Sequence, residues 1–367
     1  MRVALISTYE LGHQPLHLAA PAAALRAAGH DVVVLDTAVE DWDPSIVDAI
    51  DSLAFSVPMH TATRLAIAAA AGVRSRRPDL PICFYGLYAS MGDGIADRTI
   101  AGEYLDALVE WVGPSAPASG PASAPASVAS VPWRDALPDL ARYARLVIDG
   151  EERVAGYVEA SRGCVHRCRH CPVPVVYDGR IRIEQVDAVV ADVAQQVAAG
   201  ARHITFGDPD FLNGPQHARR VVAAVAGAFP QLTFDCTVKV EHILRHPDLW
   251  HAFAAAGFVF VVSAFESVND AILERLDKGH TAAEAAEAVR IVRRADIDLR
   301  PSWLPFTPWT TRPDVVDILD FVADHDLVAS VDPVQYTIRL LLPRGSLLLD
   351  DPDFEVGPFD PDRLAYT

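Results

Sequence analysis

Cysteine is scarce in this chain: 367 residues contain five. A small secreted scaffold stapled by disulfides is excluded, because such folds carry a dense, paired set of cysteines. Positive charge is in short supply, with 31 Lys and Arg against 49 Asp and Glu and a formal net charge of −18. A surface of that sign repels phosphate backbones, which argues against nucleic acid as a principal partner. Long hydrophobic runs are missing too. The longest nearly apolar stretch, Ala252 to Phe265, falls short of the roughly 20 residues that a bilayer-spanning helix needs. The opening Met1-Arg2-Val3-Ala4-Leu5-Ile6 reads straight into a strand, without a charged leader or cleavage site. The expectation is a cytoplasmic protein with no membrane partner. Against these shortages stands a hydrophobic fraction of 51%, enough for sizeable cores. The length favours two domains.

Short apolar runs alternate with helical patterns along the first third. Strands are predicted at Val3–Ser7, Val32–Leu35, Leu53–Val57 and Ile82–Gly86, with helices at Ala19–Ala28 and Thr61–Ser75. That alternation implies a parallel sheet covered on both faces, a doubly wound domain over residues 1–112. Between Gly113 and Pro132 only Gly, Pro, Ser, Ala and Val occur, a composition that buries no core and reads as a flexible to semi-extended linker. A second series follows over 133–348. It has strands near Gly156–Ala160, His203–Gly207, Leu232–Lys239, Phe258–Ala264, Leu299–Leu304 and Val334–Leu340. Helical patterns fall at Ile183–Ala199, Gln216–Ala228, Pro247–Ala256, Thr281–Arg294 and Pro313–Ala323. Six strand–helix repeats suit a curved parallel sheet, a partial (β/α)6 barrel, with residues 349–367 as a C-terminal extension. The fold class is therefore α/β throughout. Chemistry is expected just beyond the carboxyl ends of the strands.

Three of the five cysteines fall in eight residues, Cys164, Cys168 and Cys171, in Ser161-Arg162-Gly163-Cys164-Val165-His166-Arg167-Cys168-Arg169-His170-Cys171-Pro172. Thiols this close in a reducing compartment are most simply metal ligands. Three thiolates suit a [4Fe–4S] cluster with one iron left open. Zinc held by the three cysteines with His166 or His170 is the alternative, and a redox thiol pair leaves Cys164 unexplained. Cys83 and Cys236 sit inside strand patterns and read as core.

The C-x3-C-x2-C loop after the first strand of a partial barrel resembles the radical S-adenosylmethionine (SAM) superfamily. Glu159-Ala160-Ser161-Arg162-Gly163-Cys164 is similar to the opening of members with an N-terminal cobalamin-binding-type domain. Gly207-Asp208-Pro209-Asp210-Phe211, Glu266-Ser267 with Leu273 and Lys278, and Pro343-Arg344-Gly345-Ser346 match further motifs of that group in the right order. The resemblance implies that Cys164, Cys168 and Cys171 hold the cluster and that SAM chelates the open iron. It places His170 against the adenine, Asp208 or Asp210 on the SAM ammonium, and Glu266 and Ser267 on the ribose or methionine moiety. Each has an ordinary counterpart: Asp208 starting a turn, Ser267 capping the next helix. Lys239, Glu241 and His242 follow the third strand and form the candidate catalytic set, the alternative being a solvated loop. Arg162, Arg167, Arg169 and Arg180 make a basic patch, for docking an acidic electron donor or for tuning the cluster.

The first domain resembles the cobalamin-binding domain of the same group. Gly86 ends its last predicted strand, where bare backbone admits a close ligand, and Gly102-Glu103-Tyr104 resembles the closing motif. No D-x-H-x-x-G follows the first strand, and His13 and His17 lie at the wrong offset for a cobalt ligand. A domain that kept the fold and lost the cofactor is the alternative. Gly207 to Asn213, Lys239 to His242 and Pro305 to Trp309 are also similar to a bacterial subset whose tail carries a Cys/selenocysteine-Cys motif. The sequence stops at Thr367 without one, so that tail and its thiols are expected beyond this residue if the likeness is close. The implied function is reductive SAM cleavage acting on a small-molecule or peptide-like substrate, with cobalamin-dependent methyl transfer as the first reading. Transfer of another SAM-derived group or a cobalamin-free rearrangement is the second. A flavodoxin or ferredoxin is the implied electron donor. The rival from another class is a zinc-stabilised protein that senses a ligand. Trp303 and Trp309 read as packing or as walls of a substrate cavity.

Overall fold

The structure, a computed structural model, describes residues 1–113, 131–148 and 150–366. The expected linker falls almost wholly outside the described residues. Apolar runs become strands where predicted: β1 (Arg2–Ser7), β2 (Asp31–Asp36), β3 (Ser52–Ser56) and β4 (Ile82–Tyr85). Helices α1 (Leu16–Ala27) and α2 (His60–Arg76) connect them. A short β5 (Arg98–Ile100) and α3 (Leu105–Val112) complete a parallel five-stranded sheet in the order β2-β1-β3-β4-β5. Because successive strand side chains point to opposite faces, Val3 and Leu5 pack on the α1–α3 side while Ala4 and Ile6 pack on the α2 side. This explains why β1 is apolar without alternation. The strand order reverses between β1 and β3, the usual place for a ligand crevice in such sheets.

By internal contacts the chain forms two compact units. The first is Met1–Val158 with Asp187–Arg202 and Pro361–Leu364; the second is Glu159–Val186, His203–Asp360 and Ala365–Thr367. Residues 133–158, expected to open the second domain, thus belong with the first unit. They include the antiparallel pair β6 (Arg145–Ile148) and β7 (Glu151–Val158). Backbone bonds explain their attachment: the Trp133 N–H donates to the Ala19 carbonyl at 3.0 Å and the Ala144 N–H to the Gly12 carbonyl at 2.9 Å, while Arg134 donates to the Gln14 carbonyl at 3.3 Å and, bidentately, to Asp192 at 2.7 and 2.8 Å.

The second unit begins with a hairpin, β8 (Ser161–Gly163) and β9 (Ile181–Ile183), which encloses the cysteine loop and α4 (Pro172–Tyr177). Next come α5 (Val186–Ala198, mostly in the first unit), β10 (His203–Phe206), α6 (Pro215–Ala228), β11 (Thr233–Thr237), α7 (Val240–Arg245) and α8 (Leu249–Ala256). Then follow β12 (Phe258–Glu266), α9 (Asp270–Arg275), α10 (Ala282–Arg293), β13 (Asp298–Trp303) and α11 (Arg312–Asp324). Strands β10 to β13 pair in parallel in chain order and form the curled half-barrel. A capping box at Thr281 and Glu284 starts α10, and one at Thr311 and Asp314 starts α11. The strand expected at Val334–Leu340 is not formed. Asp332 caps a 3-10 turn over Pro333–Thr337, and only Arg339 bridges, to Phe306. A two-residue pair, β14 (Phe359–Asp360) and β15 (Ala365–Tyr366), closes the described chain.

Candidate active site

The cysteine loop is clamped at three points. Gly163, one residue before the first cysteine, adopts φ +80°, and a Cβ there would lie 2.3 Å from the Arg180 carbonyl oxygen and 2.7 Å from the Tyr177 ring. Only glycine fits both the dihedral and the space. Asn213, beyond β10, grips both sides of Cys164: its amide donates to the Gly163 carbonyl at 3.3 Å, and its oxygen accepts from the Val165 N–H at 3.2 Å. Ser346, in the Pro343–Ser346 turn, donates to the Arg169 carbonyl at 3.0 Å, and the Arg169 N–H donates to the Leu276 carbonyl at 2.9 Å. These clasps order a loop that has little secondary structure of its own.

Burial pushes the Cys164 thiol up and the Cys171 thiol to about 12, with each thiol in electrostatic reach of its neighbours. Cys168 is buried as well. A bound cation must therefore displace protons here. Cys83 and Cys236 are fully buried in β4 and β11, away from this loop. The donor set is thus three thiols and no fourth, which fits a [4Fe–4S] cluster with one open iron. Zinc completed by a histidine fits less well. His170 Nε2 faces Glu266 at 3.1 Å, and the two nitrogens of His166 face Asp210 and Glu241.

The carboxylates divide by task. Asp208 accepts from the Ala160 N–H at 2.9 Å and from the Ser161 hydroxyl at 2.5 Å. Burial raises it to about 7 in spite of those donors. Asp208 thus ties β10 to the start of the cysteine loop. Asp210 turns the other way, Oδ2 lying 2.8 Å from His242 Nδ1 and 3.6 Å from His166 Nε2. Burial opposes its charge, yet the facing imidazoles hold it below the usual carboxylate range. Glu266 ends β12 at φ +65°. Its Oε1 lies 3.1 Å from His170 Nε2 and 3.2 Å from Lys278 Nζ. Burial would raise Glu266, but the Lys278 ammonium and His170 outweigh it and hold the group at about 2. Ser267 is buried, and its oxygen accepts from the Asn269 N–H at 3.1 Å. The cap of α9 is Asn269 rather than Ser267, its side chain accepting from the Ala271 N–H.

The structure brings Lys239, Glu241 and His242 to the start of α7, with Lys239 and His242 buried and Lys239 Nζ 3.8 Å from Glu241 Oε2. His166, which the sequence offered only as a zinc ligand beside the cysteines, faces Asp210 instead. One histidine escaped the sequence reading: His280 is buried with neither ring nitrogen hydrogen-bonded, and burial together with Lys278 and Lys239 lowers it to about 4. Its only signal was a position near a motif. The basic patch is largely spoken for: Arg162 pairs with Glu184 at 2.5 Å, Arg167 with Asp178, and Arg169 with Asp351 at 3.6 Å. Trp303 is buried against Phe265 and Phe321, and Trp309 packs on Phe354, so both serve the core.

In the first unit, the carboxyl ends of β1, β3 and β4 meet around Glu10. His17 Nδ1 lies 3.1 Å from Glu10 Oε2, and the Ser56 hydroxyl lies 3.5 Å from Oε1. Tyr85 is fully buried and donates to the His17 carbonyl at 2.7 Å. Gly86 holds φ +116°, where a Cβ would press to 3.1 Å on the Val57 carbonyl oxygen. Gly86, Glu10 and Ser56 thus lie, buried, at the carboxyl ends of the strands beside the strand-order reversal.

Residues 158–322 match the family model described as the radical SAM superfamily. The tRNA-2-methylthio-N(6)-dimethylallyladenosine synthase of Aliivibrio fischeri is 24% identical over 313 residues, 80% of this chain and 62% of that protein. The chain spans about a third to two thirds of the length of the curated relatives it matches. Among solved structures, the cobalamin-dependent SAM radical enzyme OxsB, with aqua-cobalamin and SAM bound, superposes with a TM-score of 0.73 at 15% identity. That match covers 100% of this chain and 64% of the other. The radical SAM methyltransferase TsrM from Kitasatospora setae, with cobalamin and a [4Fe–4S] cluster, gives 0.64 at 17% identity over 89% of this chain and 70% of that one. At these identities the likeness establishes the fold. Among the described residues no helix is long and apolar enough to cross a membrane.

Proposed function

We propose that this member of the radical SAM superfamily is an enzyme that cleaves SAM reductively and transfers a methyl group, with cobalamin, to a small-molecule or peptide-like substrate. The observation that carries the first half is the clamped loop of Cys164, Cys168 and Cys171, three buried or half-buried thiols without a fourth. Cys164, Cys168 and Cys171 would hold a [4Fe–4S] cluster, which would supply the electron for cleavage of SAM. The chain's own residues do the rest. Glu266, kept ionised by Lys278, presents an acceptor beside the loop, and His170, anchored on that carboxylate, offers a ring face for stacking. Ser267 adds a buried hydroxyl at the same strand end. Asp208 is committed to Ala160 and Ser161, so its part is to position the loop rather than to meet SAM.

Cobalamin enters through the first unit. Its support is the fold likeness over the whole chain to OxsB and over 89% of it to TsrM, whose structures hold that cofactor. Gly86, with Ser56 and Glu10 beside it at the strand ends, would face the cofactor there. No histidine stands at the cobalt-ligand motif, so the cofactor would be held without one from this domain. The substrate proposal rests on charge, because a net −18 opposes a polyphosphate partner. TsrM, for comparison, has been seen with tryptophan as substrate. The tRNA named for the Aliivibrio enzyme is not carried over. An acidic or neutral one-electron donor, a flavodoxin or ferredoxin, completes the proposal.

Anaerobic purification with cobalamin supplied, followed by absorbance and cobalt analysis, tests the finer reading. One cobalamin per chain is expected, with 5′-deoxyadenosine and methionine from the SAM that is cleaved and S-adenosylhomocysteine from the second SAM that gives its methyl group. A correctly folded, cluster-loaded protein that retains no cobalamin contradicts methyl transfer by this route, leaving another SAM-derived group or a rearrangement.

A further inference from the structure

We propose that His166, Asp210 and His242 form a site for one divalent cation of the zinc, iron(II) or manganese class, distinct from the cysteine ligands. The three residues come from different places: His166 from the cysteine loop, Asp210 from the end of β10, and His242 from α7. Their ligand atoms lie within 4.8 Å of one another. Asp210 Oδ2 stands 2.8 Å from His242 Nδ1 and 3.6 Å from His166 Nε2. Donor atoms about 2.0–2.1 Å from one ion stand about 2.9 Å apart when cis in an octahedron and about 3.4 Å apart in a tetrahedron, so the observed spacings bracket both.

His166 Nε2, Asp210 Oδ2 and His242 Nδ1 are all buried atoms that face one another, and none makes a hydrogen bond of good geometry. The Asp210 and His242 side chains are 1% and 5% exposed. Without an ion, charged imidazoles paired with Asp210 account for the closeness; a shared cation replaces those pairings with ligand bonds to all three atoms. The outer groups have the arrangement that metal sites use to orient ligands. His166 Nδ1 faces the Glu241 carboxylate at 3.5 Å, and Asp210 Oδ1 accepts from the Leu212 N–H at 3.0 Å. Asp210 supplies one negative charge to the ion, while Glu241, which also pairs with Arg245 and Lys239, stands behind His166. Two imidazoles and one carboxylate leave coordination positions open, which suit a substrate carboxylate or carbonyl oxygen. That last role rests on the proposed function; the binding of the cation does not.

The test is metal analysis of the full-length, cluster-loaded protein after equilibration with zinc and desalting. One zinc per chain beyond the cluster iron is expected. Zinc affinity should fall at least about a hundredfold in His242→Ala and Asp210→Asn, and about 10–100-fold in Glu241→Gln, with iron and sulfide unchanged. A second measurement covers the case of a variant that fails to fold. Cobalt(II) added to a Cys164→Ser/Cys168→Ser/Cys171→Ser protein should give d–d bands without thiolate charge transfer. No zinc beyond the cluster in the native chain, or zinc retained undiminished in a folded His242→Ala protein, overturns the site. Zinc bound without iron uptake faults the cluster reading, and it supports this site only if the zinc persists in the Cys164→Ser/Cys168→Ser/Cys171→Ser protein and is lost in His242→Ala, so the two fail separately.

Discussion

At the scale of single residues, the site is built on buried charges that are matched one by one. Glu266 and Lys278 are the plainest case, a carboxylate held at about 2 and an ammonium buried beside it. Breaking such a pair leaves one charge uncompensated, so Glu266→Gln and Lys278→Met should each cost about 3–5 kcal/mol in denaturant unfolding. The double variant should recover much of that loss. Asp208 gives the opposite pH signature. Burial raises it from 3.8 to about 7, so the folded state binds its proton more tightly than the unfolded chain does. Its contribution to stability is full below 3.8 and is lost as pH rises through about 7. Asp208→Asn should flatten the decline in stability between about pH 5 and 8 measured by thermal unfolding; an unchanged slope would contradict the assignment. The three cysteines, Glu266 and His242 were legible as types at meaningful spacings. The direction each side chain faces was not, because Asp208 and Asp210 are two residues apart on an irregular turn and point at different partners.

At the scale of elements, the long ones were readable and the short ones were not. A fully buried run such as Val3–Ile6 declares itself by its unbroken apolar stretch, and α10 by its amphipathic period. Strands β5, β8 and β9 have three residues each, too few for any period. Residues 334–340 show the reverse error. Val334 and Ile338 carry strand propensity, yet both are exposed, and Asp332 with Pro333 starts a 3-10 turn instead. Propensity without a face to bury makes no strand. The cysteine loop depends on neighbours in the same way. Gly163→Ala should lower cluster iron sharply, because the Cβ would press on the Arg180 carbonyl. Asn213→Ala, which frees both sides of Cys164, should speed cluster loss in air several-fold while leaving the fold intact by circular dichroism. Equal cluster lifetimes in Asn213→Ala and the native protein would contradict the clamp.

At the scale of the whole molecule, charge and composition set the class of protein and left its boundaries open. The linker composition marks a break near residue 113, but contacts divide the chain at Val158. Backbone bonds from Trp133 and Ala144 to Ala19 and Gly12 hold residues after the linker within the first unit, and Arg134, bonded to Gln14 and in a buried bidentate pair with Asp192, brings α5 with them. Asp192→Ala should cost about 3–5 kcal/mol and melt the first unit ahead of the second in calorimetry. The account's central claim is that three cysteines hold a cluster whose fourth iron takes SAM. Electron paramagnetic resonance of the anaerobically reconstituted, reduced protein, with and without SAM, tests it most directly. A [4Fe–4S]⁺ signal whose g-values move on adding SAM is the predicted result. A signal indifferent to SAM, or no cluster signal from a protein that holds only zinc at the cysteines, would contradict it.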